Sequence, residues 1–94
     1  MPTATFQGQT IAQSDDTVVV EGNHYFPPAA VNREFLTESA KSTHCPWKGE
    51  ASYLSVKVGD AEASDAAWFY PDPKEKAENI RDHVAFWGDV KVEE

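Results

Sequence analysis

The chain has 94 residues and a formal net charge of -8, from 16 Asp and Glu against eight Lys and Arg. A chain of this length makes one domain with one core, which we place at residues 1–94. Its acidic field repels phosphate backbones and anionic membrane surfaces, so we expect neither nucleic acid nor a membrane as a partner.

Cysteine usage and the N-terminus bear on the compartment. Cys45 is the single cysteine, so no disulfide forms within the chain and a reducing compartment is indicated. Residues 1–5 lack the basic and apolar regions of a signal peptide, and no apolar run approaches the roughly 20 residues of a membrane helix. We therefore expect a cytoplasmic protein, present as a monomer or a weak homodimer.

The first half of the chain has short apolar segments between turn signals, which indicates antiparallel strands. These predicted strands span residues 3–7, 10–13, 17–21 and 24–26. Pro27 and Pro28 end the series because neither residue can donate a backbone hydrogen bond. After them we expect one helical turn at 29–32, a strand at 33–37 and a polar connection at 38–46.

Two segments of the second half are typical of strands. Residues 50–58 alternate between apolar and more polar side chains, a period of two that buries one face. Gly59 begins the turn that follows. Residues 66–70 have the same period, which places Trp68 and Tyr70 together on one face.

A helix is predicted after Pro73. Asp72 is a suitable N-cap, Pro73 suits the first helical position, and Glu75 completes a capping box. The helix should end near His83, because residues 84–87 favour extended structure. A last strand is predicted at 90–93.

The thiol of Cys45 is the most reactive side chain, within Thr43-His44-Cys45-Pro46-Trp47-Lys48-Gly49. A catalytic thiolate needs a lowered pKa, which Lys48 would supply if the chain turns back at Pro46. A free cysteine is more often a small buried hydrophobic residue, so that interpretation stays open beside the catalytic one.

Metal and nucleotide sites find little support in the sequence. The three histidines and Cys45 lack the paired spacing of structural zinc sites, so we expect no metal. The five glycines are scattered, with no phosphate-binding loop. Asp60-Ala61-Glu62 lies at a predicted hairpin tip, where carboxylates are merely solvated. We expect no bound cofactor.

Tyrosine and tryptophan residues beside polar ones support the leading hypothesis, a small-molecule pocket. Most rings in a small domain belong to its core, yet Tyr and Trp have polar atoms that suit a concave ligand site. Aromatic side chains would form the walls, and Lys48 would attract an anionic or carbonyl group. Thr43 and Glu21 would orient the ligand.

Two other functions stay open. One is an enzyme whose catalytic residues are Cys45 and Lys48, with the lysine lowering the pKa of the thiol. The other is a protein-interaction module without a small ligand, in which Trp47 and Trp87 form an exposed patch.

Several motifs occur in a fixed order along the chain. They are Thr43-x-Cys45-Pro46-x-Lys48-Gly49-x-Ala51-x-Tyr53, Asp65-Ala66-Ala67-Trp68-x-Tyr70-Pro71-x-Pro73 and Val84-Ala85-Phe86-Trp87. Together with Glu21 and Tyr25-Phe26-Pro27 they resemble the domain-of-unknown-function family numbered 427, from about Val18 to Val92.

The resemblance implies a mainly β domain similar to the β-tent group, in which two small antiparallel sheets meet at an angle. The expected fold is therefore two antiparallel sheets with one short helix after Pro73. The family's label, nucleotidyltransferase-like, matches no phosphate-binding pattern in this chain. The resemblance also implies a shared ligand-binding site made of Glu21, Tyr25, Thr43, Cys45, Lys48, Tyr53, Trp68 and Tyr70.

Overall fold

The structure is a computed structural model that describes residues 1–94, with nine strands and three short 3₁₀ helices. The strands are β1 (Thr3–Phe6), β2 (Gln9–Gln13), β3 (Val18–Val20), β4 (Asn23–Tyr25), β5 (Leu36–Cys45), β6 (Gly49–Val58), β7 (Ala61–Phe69), β8 (Val84–Phe86) and β9 (Lys91–Glu93). The 3₁₀ helices are Pro28–Ala30, Arg33–Phe35 and Glu75–Ile80. The predicted mainly β fold is confirmed.

The strands form three antiparallel sheets where the sequence predicted two. Their orders are β2-β1-β9, β3-β4 and β5-β6-β7-β8. The additional sheet arises because the β3-β4 hairpin joins the edge strand β8 only through one isolated bridge, between Phe26 and Val84, and not through a continuous strand pair. The pairing of β9 with β1 brings the two ends of the chain together.

The four-stranded sheet is covered on both faces. On one face Val56 packs with Ile11 of the first sheet, in a core of 14 buried residues. On the other face Tyr70 packs with Tyr25 of the hairpin and Ile80 of the last 3₁₀ helix, in a cluster of six buried residues. The period of two along β6 and β7 divides their side chains between these cores.

Residues 38–46 are not the polar connection that the sequence predicted. Almost all of them belong to β5, a ten-residue edge strand whose side chains are mostly exposed. Such a strand has no alternation of apolar residues by which it could be recognised. Charged residues such as its Glu38 and Lys41 are common on edge strands, because they discourage pairing with other chains. The strand predicted at 33–37 is a 3₁₀ turn over Arg33–Phe35 that leads into β5.

The helix predicted to begin at Pro73 is a six-residue 3₁₀ helix, Glu75–Ile80, and not an α-helix. Lys74 is its N-cap residue and no side chain caps it, so the predicted role of Asp72 is wrong. The segment before the helix is held by other contacts, since the Lys74 amide donates to the Lys48 carbonyl oxygen at 2.8 Å. None of the helices has the length and apolar character that crossing a membrane requires.

Candidate functional site

The residues that the sequence singled out lie together on the hairpin-covered face of the four-stranded sheet. Strand pairing places Thr43 opposite Ala51 and Tyr53 opposite Trp68, and directly paired residues point to the same side. The β3-β4 hairpin adds residues from above. We call the following eight residues the Lys48 cluster: Glu21, Tyr25, Thr43, Cys45, Lys48, Tyr53, Trp68 and Tyr70.

The turn between β5 and β6 is held firmly in place. A Cβ added to Gly49, whose φ is +110°, would lie 3.4 Å from the Asp72 carbonyl oxygen and 3.6 Å from the Pro73 Cα. The Lys74 side chain also donates to the Pro46 carbonyl oxygen at 2.7 Å. These contacts fix the turn, and its Lys48 side chain points into the cluster.

The Lys48 ammonium is nearly buried and has one charged partner. Only 6% of the residue is exposed. The ammonium donates a hydrogen bond to a carboxylate oxygen of Glu21 and lies 5.0 Å from the Trp47 ring centroid and 5.8 Å from that of Tyr70. An ion pair together with two ring faces can offset the unfavourable burial of a positive charge.

Neighbouring groups keep Lys48 protonated. Burial by itself lowers the pKa of Lys48, but the bond to Glu21 and the ionisable side chains of Tyr25, Tyr70 and Cys45 together raise it above its ordinary value. At neutral pH Lys48 is therefore a fixed cation. It can hold an anion or polarise a carbonyl group, but it is not suited to act as a neutral nucleophile.

Glu21 reaches Lys48 from an unusual backbone position. Glu21 and Gly22 form the two-residue turn between β3 and β4, with φ of +54° and +83°. Two positive φ values are typical of a type I′ turn, where Asn-Gly is preferred and glutamate is unfavourable. Hydrogen bonding to Lys48 and the charge of Lys48 lower the pKa of Glu21. The turn thus presents an ionised carboxylate to the buried lysine.

Tyr25 and Tyr70 are the two buried phenols of the cluster. Tyr25 is 1% exposed and accepts a hydrogen bond from the Trp68 indole N–H at 3.1 Å. Burial raises the pKa of Tyr25 and raises that of Tyr70 to about 12. Both hydroxyl groups are therefore neutral at physiological pH.

The outer part of the cluster contains a residue that sequence reasoning missed. The Thr43 hydroxyl lies 3.2 Å from that of Tyr53, and the Lys41 ammonium lies 4.9 Å from the Tyr53 ring centroid. Lys41 went unnoticed because residues 38–46 looked like a connection. Its spacing of two from Thr43 would have revealed it in a strand, since alternate residues share a face.

Cys45 lies at the end of β5, opposite Gly49. Its thiol is free and partly buried, and it packs against the buried residues around Tyr70. Lys48 directly precedes Gly49, so Cys45 and Lys48 belong to the same turn. Glu21, however, already balances the charge of that lysine.

Trp47 and Trp87 are both exposed but do not form one patch. Their exposed fractions are 40% and 52%. Trp47 is two residues before Gly49. The Trp87 indole N–H, in contrast, donates to the carbonyl oxygen of Asp65, and the backbone N–H of Asp65 donates to the Ser55 hydroxyl. Six residues of β6 separate these positions, a distance of about 20 Å. The predicted exposure of both rings is confirmed, but they lie near opposite ends of β6.

The two cavities of the structure lie away from the Lys48 cluster. One, of about 580 Å³, is bordered by Gln7 and Glu62, and the other, of about 460 Å³, by His24 and Glu94. The pocket that the sequence predicted between the aromatic rings and Lys48 is therefore not present, and a ligand at the cluster would contact its solvent-facing side. No group of three or more His, Cys, Asp and Glu side chains in the chain is placed to hold a metal ion.

Comparison with known proteins gives a family and no activity. The family model described as domain of unknown function (DUF427) matches residues 3–94, which is nearly the whole chain. No curated protein matched the chain. The family description names neither a ligand nor a reaction.

Proposed function

The chain belongs to the DUF427 family of domains of unknown function, and we propose that it binds a small molecule through the Lys48 cluster. The observation that supports this best is a nearly buried Lys48 whose single charged partner, Glu21, comes from an exposed hairpin tip. Burying an ion pair is weak as a means of stabilising a fold, because desolvation opposes the attraction. The presence of a buried lysine at this position is better explained by ligand binding than by stabilisation of the fold.

The chemistry of the cluster favours a ligand with an anionic or carbonyl group beside a flat apolar part. Lys48 supplies the positive charge. The partly exposed rings of Trp47, Tyr53 and Trp68 supply aromatic surface. The Thr43 hydroxyl lies beside Tyr53 and can orient a polar substituent.

A fragment screen by ligand-observed NMR tests this proposal. The library consists of small carboxylates, phosphates, aldehydes and ketones, screened against the wild type, Lys48→Met and Lys57→Met. Lys57 is an exposed lysine on β6, the strand that follows Lys48, and serves as the matched control. We expect hits to lose at least about tenfold in affinity in Lys48→Met, since one charge-assisted hydrogen bond contributes roughly that much, and to be unchanged in Lys57→Met. Equal binding to both variants would contradict the proposal.

A second candidate function is an enzyme that uses Cys45 as a nucleophile on a ligand held by Lys48. The position of the partly buried thiol at the turn that contains Lys48 favours it. It requires that iodoacetamide alkylate Cys45 well below pH about 8.5, the ordinary thiol value, and that Lys48→Met slow this reaction. If the rate of alkylation depends on pH as that of glutathione does, in both the wild type and Lys48→Met, this candidate function is excluded.

A further inference from the structure

The ion pair between Glu21 and Lys48 is unequal in exposure. The Lys48 side chain is 8% exposed, whereas that of Glu21 is 56% exposed. The carboxylate therefore approaches the ammonium from the solvent side, and its departure would leave an opening to water. The exposed ring of Trp47 borders the same side of the ammonium.

Glu21 is also poorly suited to the turn that it occupies. At a φ of +54° a glutamate is less stable than asparagine or glycine, because its Cβ approaches the following carbonyl oxygen. Backbone strain of this kind is often found at functional sites, where the position of a side chain matters more than local stability. Here the strained position brings a carboxylate to the cation.

We propose that Glu21 occupies the ligand subsite on Lys48 as an internal competitor, and that the natural ligand is a carboxylate that replaces it. This inference rests on the proposed function and specifies its ligand class. The site already accepts one carboxylate with a single negative charge. One ammonium beside the Trp47 ring matches a carboxylate better than a dianionic phosphate, which needs more donors.

The hairpin can release Glu21 without disturbing the four-stranded sheet. β3 pairs only with β4, and two-stranded hairpins are marginally stable on their own. The anchor lies at the far end of β4, where Phe26 and Val84 exchange backbone hydrogen bonds of 2.8 and 2.9 Å. A shift of the tip therefore leaves this anchor in place.

The competition predicts how affinity changes when the carboxylate of Glu21 is removed. An external carboxylate binds only in the fraction of molecules whose Lys48 is free, so its apparent affinity is reduced by that fraction. If the internal pair is formed in about nine molecules out of ten, removing it strengthens binding about tenfold.

The test is a titration of benzoate at constant ionic strength, followed by the NMR signals of the tryptophan indole N–H groups. Glu21→Asn removes the carboxylate and suits the type I′ turn, so it should fold; Glu21→Gln repeats the test with a side chain of the same length. Glu50→Gln, an exposed change on β6, controls for net charge. We expect about tenfold tighter benzoate binding in both Glu21 variants, wild-type affinity in Glu50→Gln, and none in Lys48→Met.

The possible failures can be told apart. Equal affinity in the wild type and Glu21→Asn overturns the competitor role, while loss of binding in Lys48→Met still supports the proposed function. Absence of benzoate and acetate binding in Glu21→Asn overturns the carboxylate class, and the fragment screen then decides the proposed function separately. Benzoate binding that persists in Lys48→Met contradicts both proposals.

Discussion

The Trp68 indole N–H donates a hydrogen bond to the Tyr25 hydroxyl across 3.1 Å, from the four-stranded sheet to the hairpin that carries Glu21. The two rings meet edge to face, with centroids 6.2 Å apart and planes at 88°. This contact joins a polar bond to a favourable aromatic geometry. It therefore fixes the base of the hairpin on the sheet, at the end away from the turn that carries Glu21.

Tyr25→Phe should destabilise the fold by about 1–3 kcal/mol, because the partly buried Trp68 N–H loses its acceptor. Urea unfolding followed by tryptophan fluorescence measures this change. Tyr53→Phe is the control, since the bond of Tyr53 to Thr43 is exposed and its loss should change stability by no more than about 0.5 kcal/mol. Equal losses of unfolding free energy in the two variants would show that the hydrogen bond of Tyr25 stabilises the fold no more than the exposed bond of Tyr53.

Gly49→Ala should destabilise the protein more than Gly59→Ala. Gly49 has a φ of +110°, outside the left-handed helical region that other residues can enter, whereas Gly59 has a φ of +57°, inside that region. We expect roughly 1–2 kcal/mol for Gly59→Ala, from backbone strain alone, and a larger loss for Gly49→Ala. Urea midpoints compare the two, and the opposite order would mean that the turn before β6 is not rigid.

The sequence predicts the strands that alternate and misses those that do not. β6 was predicted almost to the residue because apolar and more polar residue types alternate along its sequence, although Ser55 is buried together with Leu54 and Val56. β5 was missed because an exposed edge strand has no apolar periodicity. The length of the helix after Pro73 was overestimated. Its cap signals are local, whereas packing against Gly49 determines the conformation of that segment. Apolar periodicity reveals strands with one buried face. The edge strand β5 and the segment after Pro73 depend instead on tertiary contacts, which local sequence patterns do not show.

The membership of the Lys48 cluster was predicted better than its geometry. Motif residues such as Thr43, Tyr53 and Trp68 lie together because strand register aligns them. No sequence pattern, however, indicates that a strained turn brings Glu21 onto Lys48 from 27 residues away. That contact depends on how the hairpin packs over the sheet, which lies beyond local signals.

The contribution of the Glu21–Lys48 pair to stability should vanish in acid. Lys48 lowers the pKa of Glu21, so the folded protein binds this proton less tightly than the unfolded chain does. The stabilisation is therefore complete above the unfolded pKa of about 4.3 and is lost as the pH falls through the folded value. Melting temperatures of the wild type and Glu21→Gln should differ at neutral pH and converge in acid. A constant difference across this range would show that the pair does not stabilise the fold through charge.

Alkali should reveal Tyr70 as a late-titrating phenol. Burial raises the pKa of Tyr70 to about 12, only partly opposed by the charge of Lys48, whereas an unfolded tyrosine titrates near about 10. The folded protein thus holds this proton more tightly, so the contribution of Tyr70 to stability is complete below about pH 10 and is lost as the pH rises toward 12. We expect the phenolate absorbance of the folded protein to show a late step, shared by Tyr25 and Tyr70, that Tyr70→Phe reduces and Tyr53→Phe retains. Tyr70→Phe should also reduce the alkaline loss of unfolding free energy by up to about 2–3 kcal/mol. If all three tyrosines titrate together near pH 10 while circular dichroism still reports the native sheet, the phenol of Tyr70 is open to water and the packing of the cluster around Lys48 is looser than described.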